Sequence, residues 1–202
     1  MSASSHETGN ARFERAIAAI DAVNADDPNT ILISGVERPK ELAHSEMMTA
    51  WVTRLQPGAS EALLLAARAH HIRRWAVPRS SYPDGRAAYL RWRRDLHQRH
   101  AADVGAILDD AGYDALTIAR VQDIVRKRGL GRDDDVQVLE DALCLVFIET
   151  QFGELAAKLE RPLMVDVVRK TLKKMSVAGQ AVALSLEMPP DDRAMIEEAT
   201  RG

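Results

Sequence analysis

Three polar clusters interrupt stretches that otherwise read as apolar helix. They are Ala43-His44-Ser45, Ala69-His70-His71-Ile72 after the run Leu63-Leu64-Leu65-Ala66-Ala67, and Leu139-Glu140-Asp141-Ala142 ahead of the apolar segment Leu143–Ile148. A buried polar group without a partner costs about 1–3 kcal/mol, so imidazoles and carboxylates bordering such segments need partners. One metal ion would satisfy them together, since side chains projecting inward from several helices are a common way to build a site in a helical bundle. Read singly, each residue also has an ordinary explanation. A lone His44 fits a helix surface, and Asp141 fits the favourable position of an acid near a helix N-terminus. Adjacent helix positions such as 70 and 71 point about 100° apart, so one of the two imidazoles could serve only to orient the other.

A second chemical feature begins beside the histidine pair. Between Arg68 and Arg99 the chain holds nine Arg, no Lys and two acids, Asp84 and Asp95. That is +7, against −10 for the rest and −3 overall. The planar guanidinium suits fixed bidentate contacts to phosphate or carboxylate. Arg73 and Arg74 follow the histidines directly, and Arg79, Ser80, Ser81 and Tyr82 lie on the loop beyond. Arg86, Tyr89, Arg93 and His97 recur at three- and four-residue steps, so one helix face can present them all. Arg73, Arg74, Arg79, Arg86 and Arg93 are therefore candidate phosphate ligands, with Trp75 or Tyr82 placed to stack a base. The competing interpretation is a solvated basic helix face.

The elements that must position these groups are helical nearly throughout. Phe13, Ile17, Ile20 and Val23 mark an amphipathic helix over 11–25. Thr30-Ile31-Leu32-Ile33 reads as a packed extended segment. Pro39 suits the first residue of a helix reaching Leu55, and Ser60 with Glu61 starts another through Arg74. Residues 76–84 form a loop. A long basic helix covers 85–111, and two more cover 115–128 and 134–150, the last capped by Asp133 or Asp134. The tail from 162 to 186 is helical, and Pro189-Pro190 precede a final short helix. The expectation is an all-α single domain of about eight helices, with a disordered segment over 1–10, a helical domain over 11–161 and C-terminal helices over 162–202 packed on it.

Length and composition set bounds. A chain of 202 residues with 46% hydrophobic content can bury a real core. The net charge of −3 gives no general reason to expect nucleic acid or an anionic membrane as a partner. A single Cys excludes an intrachain disulfide framework and suits a reducing compartment. The longest apolar run, Ala142–Ile148, is too short to span a membrane, and MSASSHETGN lacks the apolar stretch of a secretory signal. These features point to a cytoplasmic protein. Lys174-Met175-Ser176 echoes part of a synthetase loop but has no glycine-rich nucleotide turn beside it. Cys144 reads as a small buried residue.

A histidine, a pair some two to three dozen residues later and a distant Asp on another helix resemble the HD superfamily of metal-dependent phosphohydrolases. The flanks "LAHSEMMTAWV", "LLLAARAHHIRRW" and "LEDALCLVFIE" carry the likeness, which covers about residues 38–152. More narrowly, "HIRRW" followed by "PRSSYP", and then "YLRWR", are similar to an uncharacterised family, domain of unknown function 4202, for which no activity can be transferred. The HD resemblance implies metal ligands at His44, His70, His71 and Asp141, with His100 and Glu140 as additional or supporting groups.

One departure is plain, because His71 stands where the HD signature has Asp. A neutral imidazole has one lone pair and cannot bridge two metals as a carboxylate does. Lys127 and Arg128 also stand near where a further ligand would follow. The expectation is one divalent transition metal (Zn, Fe, Ni, Co or Mn), favoured by three imidazoles and one carboxylate. The implied reaction is hydrolysis at phosphorus, with metal-activated water as nucleophile, Arg stabilising the developing charge and His97 or His100 as candidate general acid. The substrate would be a nucleotide or other small phosphorylated compound. Two alternatives stay open: a non-catalytic HD-like protein that binds a phosphorylated ligand or partner through the arginine-rich pocket, and, more weakly, single-stranded RNA binding through the Arg-aromatic segment.

Overall fold

The computed structural model describes residues 3–201. Ten α-helices dominate them: α1 (Ala3–Ala25), α2 (Lys40–Leu55), α3 (Glu61–Ala69), α4 (Arg86–Asp110), α5 (Ala115–Val125), α6 (Asp134–Thr150), α7 (Phe152–Lys158), α8 (Arg161–Leu172), α9 (Val177–Ser185) and α10 (Pro190–Thr200). Two strands, β1 (Thr30–Ile33) and β2 (Val36–Pro39), pair antiparallel as a hairpin. None of the described helices is long and apolar enough to cross a membrane.

Short side-chain signals set four of the helix starts. Ser60 Oγ accepts from the Leu63 amide, Asp114 accepts from Leu116 and Thr117, Asp133 from Val136, and Ser176 from Gly179. Each takes up a backbone N–H that the first turn leaves without an intrahelical partner. Apolar faces of α2, α3 and α6 meet in the centre, with Met48, Val52, Leu63, Leu65, Leu139 and Leu145 fully or almost fully buried. Helices α4 and α5 close one side, and α5 also lies against α3. The tail joins the same apolar cluster, which runs from Ala16 on α1 to Ala199 on α10.

Four features depart from the sequence reading. Helix α1 begins at Ala3, so it takes in residues 3–10, where disorder was expected; residues 1–2 lie outside the described residues. The hairpin adds strand to an otherwise helical chain. Ser34 and Gly35 both adopt positive φ, 50° and 80°, which lets a two-residue turn reverse the chain with the twist a hairpin needs. Helix α3 stops at Ala69 rather than continuing to Arg74. The expected long tail helix breaks between Leu172 and Val177, and short α7 precedes it, so the described residues hold ten α-helices instead of about eight.

That last break is built by Asp141. Its carboxylate accepts the Ser176 amide at 2.8 Å, the Ser176 hydroxyl at 2.5 Å and Gln137 Nε2 at 2.9 Å. Helix α9 thus begins directly on α6. A Cβ placed on Gly179 would come within 2.6 Å of Asp141 Cγ, so only glycine allows this approach. Gly179→Ala is expected to destabilise the fold by about 1–3 kcal/mol in urea denaturation, as overpacking does. Gly153→Ala, whose Cβ would meet nothing closer than 3.7 Å, should be neutral or slightly stabilising.

Candidate functional site

The end of α3 creates the site. His70 is its C-cap, and His70 Nδ1 lies 3.0 Å from the carbonyl of Ala67 in the last turn. The chain then tightens, with Ile72 N bonding Ala69 O and Arg74 N bonding His71 O. Arg73 adopts a left-handed conformation with φ 51°, which is uncommon for a residue with a side chain. His100 on α4 reaches this turn, its Nδ1 lying 2.6 Å from Ile72 O. A carbonyl can only accept, so Nδ1 of both His70 and His100 carries the proton. Nε2 of each ring is then a bare acceptor.

Those acceptors have no protein partner. Nε2 of His44, His70 and His100 and Oε2 of Glu41 are all buried without a hydrogen bond. The rings are close together: His70 and His71 have centroids 4.1 Å apart, and His71 and His100 5.8 Å. His71 Nδ1 lies 3.6 Å from Glu41 Oε2, a charge contact rather than a hydrogen bond. Glu41 is three residues before His44 on α2, hence on the same face, and this spacing was legible in the sequence but went unread.

Electrostatics keep the imidazoles neutral. Burial lowers His44 to about 4, assisted by the nearby Lys40 and Arg74. Burial lowers His100 to about 3, against the Ile72 carbonyl bond, and lowers His97 to about 4 with help from Lys127 and Arg93. His70 and His71 are likewise held well below the ordinary range by burial. At neutral pH, His97 and His100 in this state do not carry the second ring proton a general acid would give up. Glu41 shifts the opposite way, to about 7, because burial outweighs the attraction of Arg74.

The residues named from sequence fall into two groups. His70, His71 and His100 cluster, and His44 lies near enough to act electrostatically on His70. Asp141 is buried but spends both oxygens on Ser176 and Gln137. Its neighbour Glu140 pairs with Lys127, and Lys174 Nζ lies 3.9 Å from its other oxygen. Burial alone would raise the Glu140 carboxyl, yet Lys127, Lys174 and Arg93 together hold it below the ordinary range. Lys127, like Arg73, is a non-glycine residue at positive φ, 59°, and its ammonium acts on His70, His71 and His97. Neither Lys127 nor Lys174 was expected as a site residue.

The arginines are unequal. Arg79 donates to the carbonyls of Tyr82 and Pro83, both at 2.8 Å, and so holds its own loop. Arg73 faces Asp103 at 3.8 Å. Arg74 is half-buried, stacked 5.1 Å over Trp92, and acts on both Glu41 and His44. Arg86 is exposed and Arg93 half-buried. Tyr82 donates to Asp95 at 2.9 Å, and Trp75 is half-buried.

As a donor set, buried imidazole nitrogens whose other ring nitrogen is fixed by a backbone carbonyl match the chemistry of a borderline transition metal. Asp141 does not match it while it holds Ser176. Among the described residues, no group of three or more His, Cys, Asp or Glu side chains is arranged so that it could hold a metal ion. The imidazoles are thus donors of a suitable type that the structure does not converge on one ion.

The chain belongs to the family described as domain of unknown function DUF4202, whose model matches residues 14–196. No curated protein and no solved structure matches the chain.

The histidine shifts carry a signed consequence for chelator-treated protein. Below about pH 6.5 the unfolded chain protonates His44, His97 and His100, while the native state resists until about 4 or lower. Stability from these groups is therefore lost as pH falls through that window. Glu41 opposes this between about 7 and 4.5, since the native state takes its proton first. Three imidazoles outweigh one carboxyl, so the urea midpoint should fall steadily from pH 6.5 to 4.5. A midpoint that stayed flat or rose would contradict these native-state shifts.

Proposed function

We propose that the pocket holds one divalent transition metal of the group Zn, Fe, Ni, Co or Mn. On this reading the chain is an HD-like, metal-dependent phosphohydrolase for a small phosphorylated compound. The observation that carries this reading is the trio of buried imidazoles whose Nε2 atoms have no partner. His44, His70 and His100 would hold the ion, with Glu41 Oε2 as the nearby carboxylate, and His71 would lie beside them. When bound, such an ion supplies Lewis acidity for attack of water at phosphorus. The Ala67 and Ile72 carbonyls fix the His70 and His100 rings, and Arg74 brings a fixed positive charge to the same pocket. Glu41, at about 7, is able to exchange a proton near neutral pH.

A second reading is a binding protein without catalysis, and a specific observation favours it. Asp141 is committed to Ser176, and among the described residues no group of three or more His, Cys, Asp or Glu side chains could hold a metal ion as arranged. In that case the cations around the pocket recognise a phosphorylated ligand or partner without cleaving it.

Metal analysis of protein purified without chelator separates the two. About one equivalent of transition metal, lost in His44→Ala, together with phosphatase activity on a panel of phosphate esters, is the expected result. Metal without activity would leave a metal-stabilised binding protein. Neither metal nor activity would refute the hydrolase and leave the second reading.

A further inference from the structure

Helices α4, α6 and α8, with the connection following α8, surround a cleft of about 180 Å³. Its polar wall is Arg93, Glu140 and Lys174, and its apolar wall includes Leu143, Phe147 and Val167. Glu140 is buried, and its two oxygens face Lys127 and Lys174. Among the described residues Arg93 has no carboxylate within ion-pair distance; its guanidinium lies 6.0 Å from the Tyr89 ring. Buried Lys127 balances Glu140, which leaves half-buried Arg93 and half-exposed Lys174 as two positive charges at the cleft with no carboxylate of their own. Uncompensated charge removed from water is costly and is relieved by a counter-ion.

The position of Lys174 is enforced. Its carbonyl accepts from Gln137 Nε2 at 2.8 Å, and the same amide group donates to Asp141, which anchors Ser176 two residues on. The break between α8 and α9 therefore delivers this lysine to the cleft. Cys144 also lines it, but its thiol contacts the Thr171 carbonyl and burial pushes it up to about 12, so the cleft offers recognition rather than a nucleophile.

We propose that this cleft binds the phosphate end of a small phosphomonoester bearing a short apolar body. A phosphomonoester dianion carries about −1.5 to −2 at neutral pH, matching the surplus, and a guanidinium such as that of Arg93 can grip two of its oxygens. The volume lies below the ~300–1,000 Å³ of sites that enclose drug-sized ligands, so it admits a phosphate and a few carbons, not a whole nucleotide. The inference deepens the proposed function by naming the ligand class. It rests on that reading only for the view that the bound ester is a substrate.

Calorimetric titration of propyl phosphate into the chelator-treated full chain at low salt tests it. Saturable binding is expected, weakened roughly tenfold or more by either Lys174→Gln or Arg93→Gln, as the loss of one charge-assisted hydrogen bond implies. Arg91→Gln, on an exposed position of the same helix, should leave affinity unchanged. Thermal midpoints of the variants show whether each remains folded, and half-exposed Lys174 makes K174Q the safer of the two. Absence of saturation, or affinity unchanged from the wild type in folded K174Q and R93Q, overturns the site. Tighter binding of adenosine monophosphate than of propyl phosphate overturns the size assignment. His44→Ala should keep propyl phosphate binding while losing metal, so failure of the metal site and failure of this cleft are read separately.

Discussion

Two backbone carbonyls exposed by the early end of α3 determine how the centre of this protein is arranged. Ala67 O and Ile72 O each receive the Nδ1 proton of an imidazole, from His70 and His100. These contacts serve the backbone and the pocket together. They satisfy carbonyls that a helix C-terminus leaves open, and they fix the tautomer so that each Nε2 is a lone-pair donor. The His100 contact also ties α4 to the turn, which brings Arg93 and His97 to the same side of the molecule. Arg73 at positive φ belongs to this arrangement, because the chain must turn sharply there to bury Ile72. Backbone conformations of this kind persist only where surrounding contacts over-determine them.

Neighbouring acids on α6 have separate tasks. Asp141 is structural, since it starts α9 and requires the glycine at 179. Glu140 is electrostatic, holding Lys127 beneath the histidines and Lys174 beside the cleft. The C-terminal helices are thus more than a cover. Through Asp141 and Gln137 they position one of the cations that make the cleft positive, coupling the fold of the tail to the charge of the site.

Much of this was legible in the sequence where local chemistry dominates. Ser60 and Asp133 marked helix starts, and Thr30–Ile33 stood out by its β-branched run, although the Ser34-Gly35 turn that makes it a hairpin was missed. His44, His70 and His71 stood out by their placement at the borders of apolar stretches, and His100 only through the HD resemblance. The end of α3 was not legible, because no Gly or Pro stands there and the stop depends on imidazoles reaching carbonyls, one of them from a helix 28 residues away. The commitment of Asp141 was hidden for the same reason, its partner Ser176 being 35 residues distant. The arginine-rich segment was visible as composition, but only the structure shows that Arg79 serves its own loop while Arg74 stacks on Trp92 and Arg93 lines the cleft.

The most direct test of the histidine pocket is the tautomeric state of its rings, read by nitrogen-15 NMR of histidine-labelled, chelator-treated protein at pH 7. The account predicts that His70 and His100 are neutral, each carrying its proton on Nδ1, with Nε2 unprotonated and shifted when Zn is added. Rings protonated on Nε2, or doubly protonated at that pH, would contradict it.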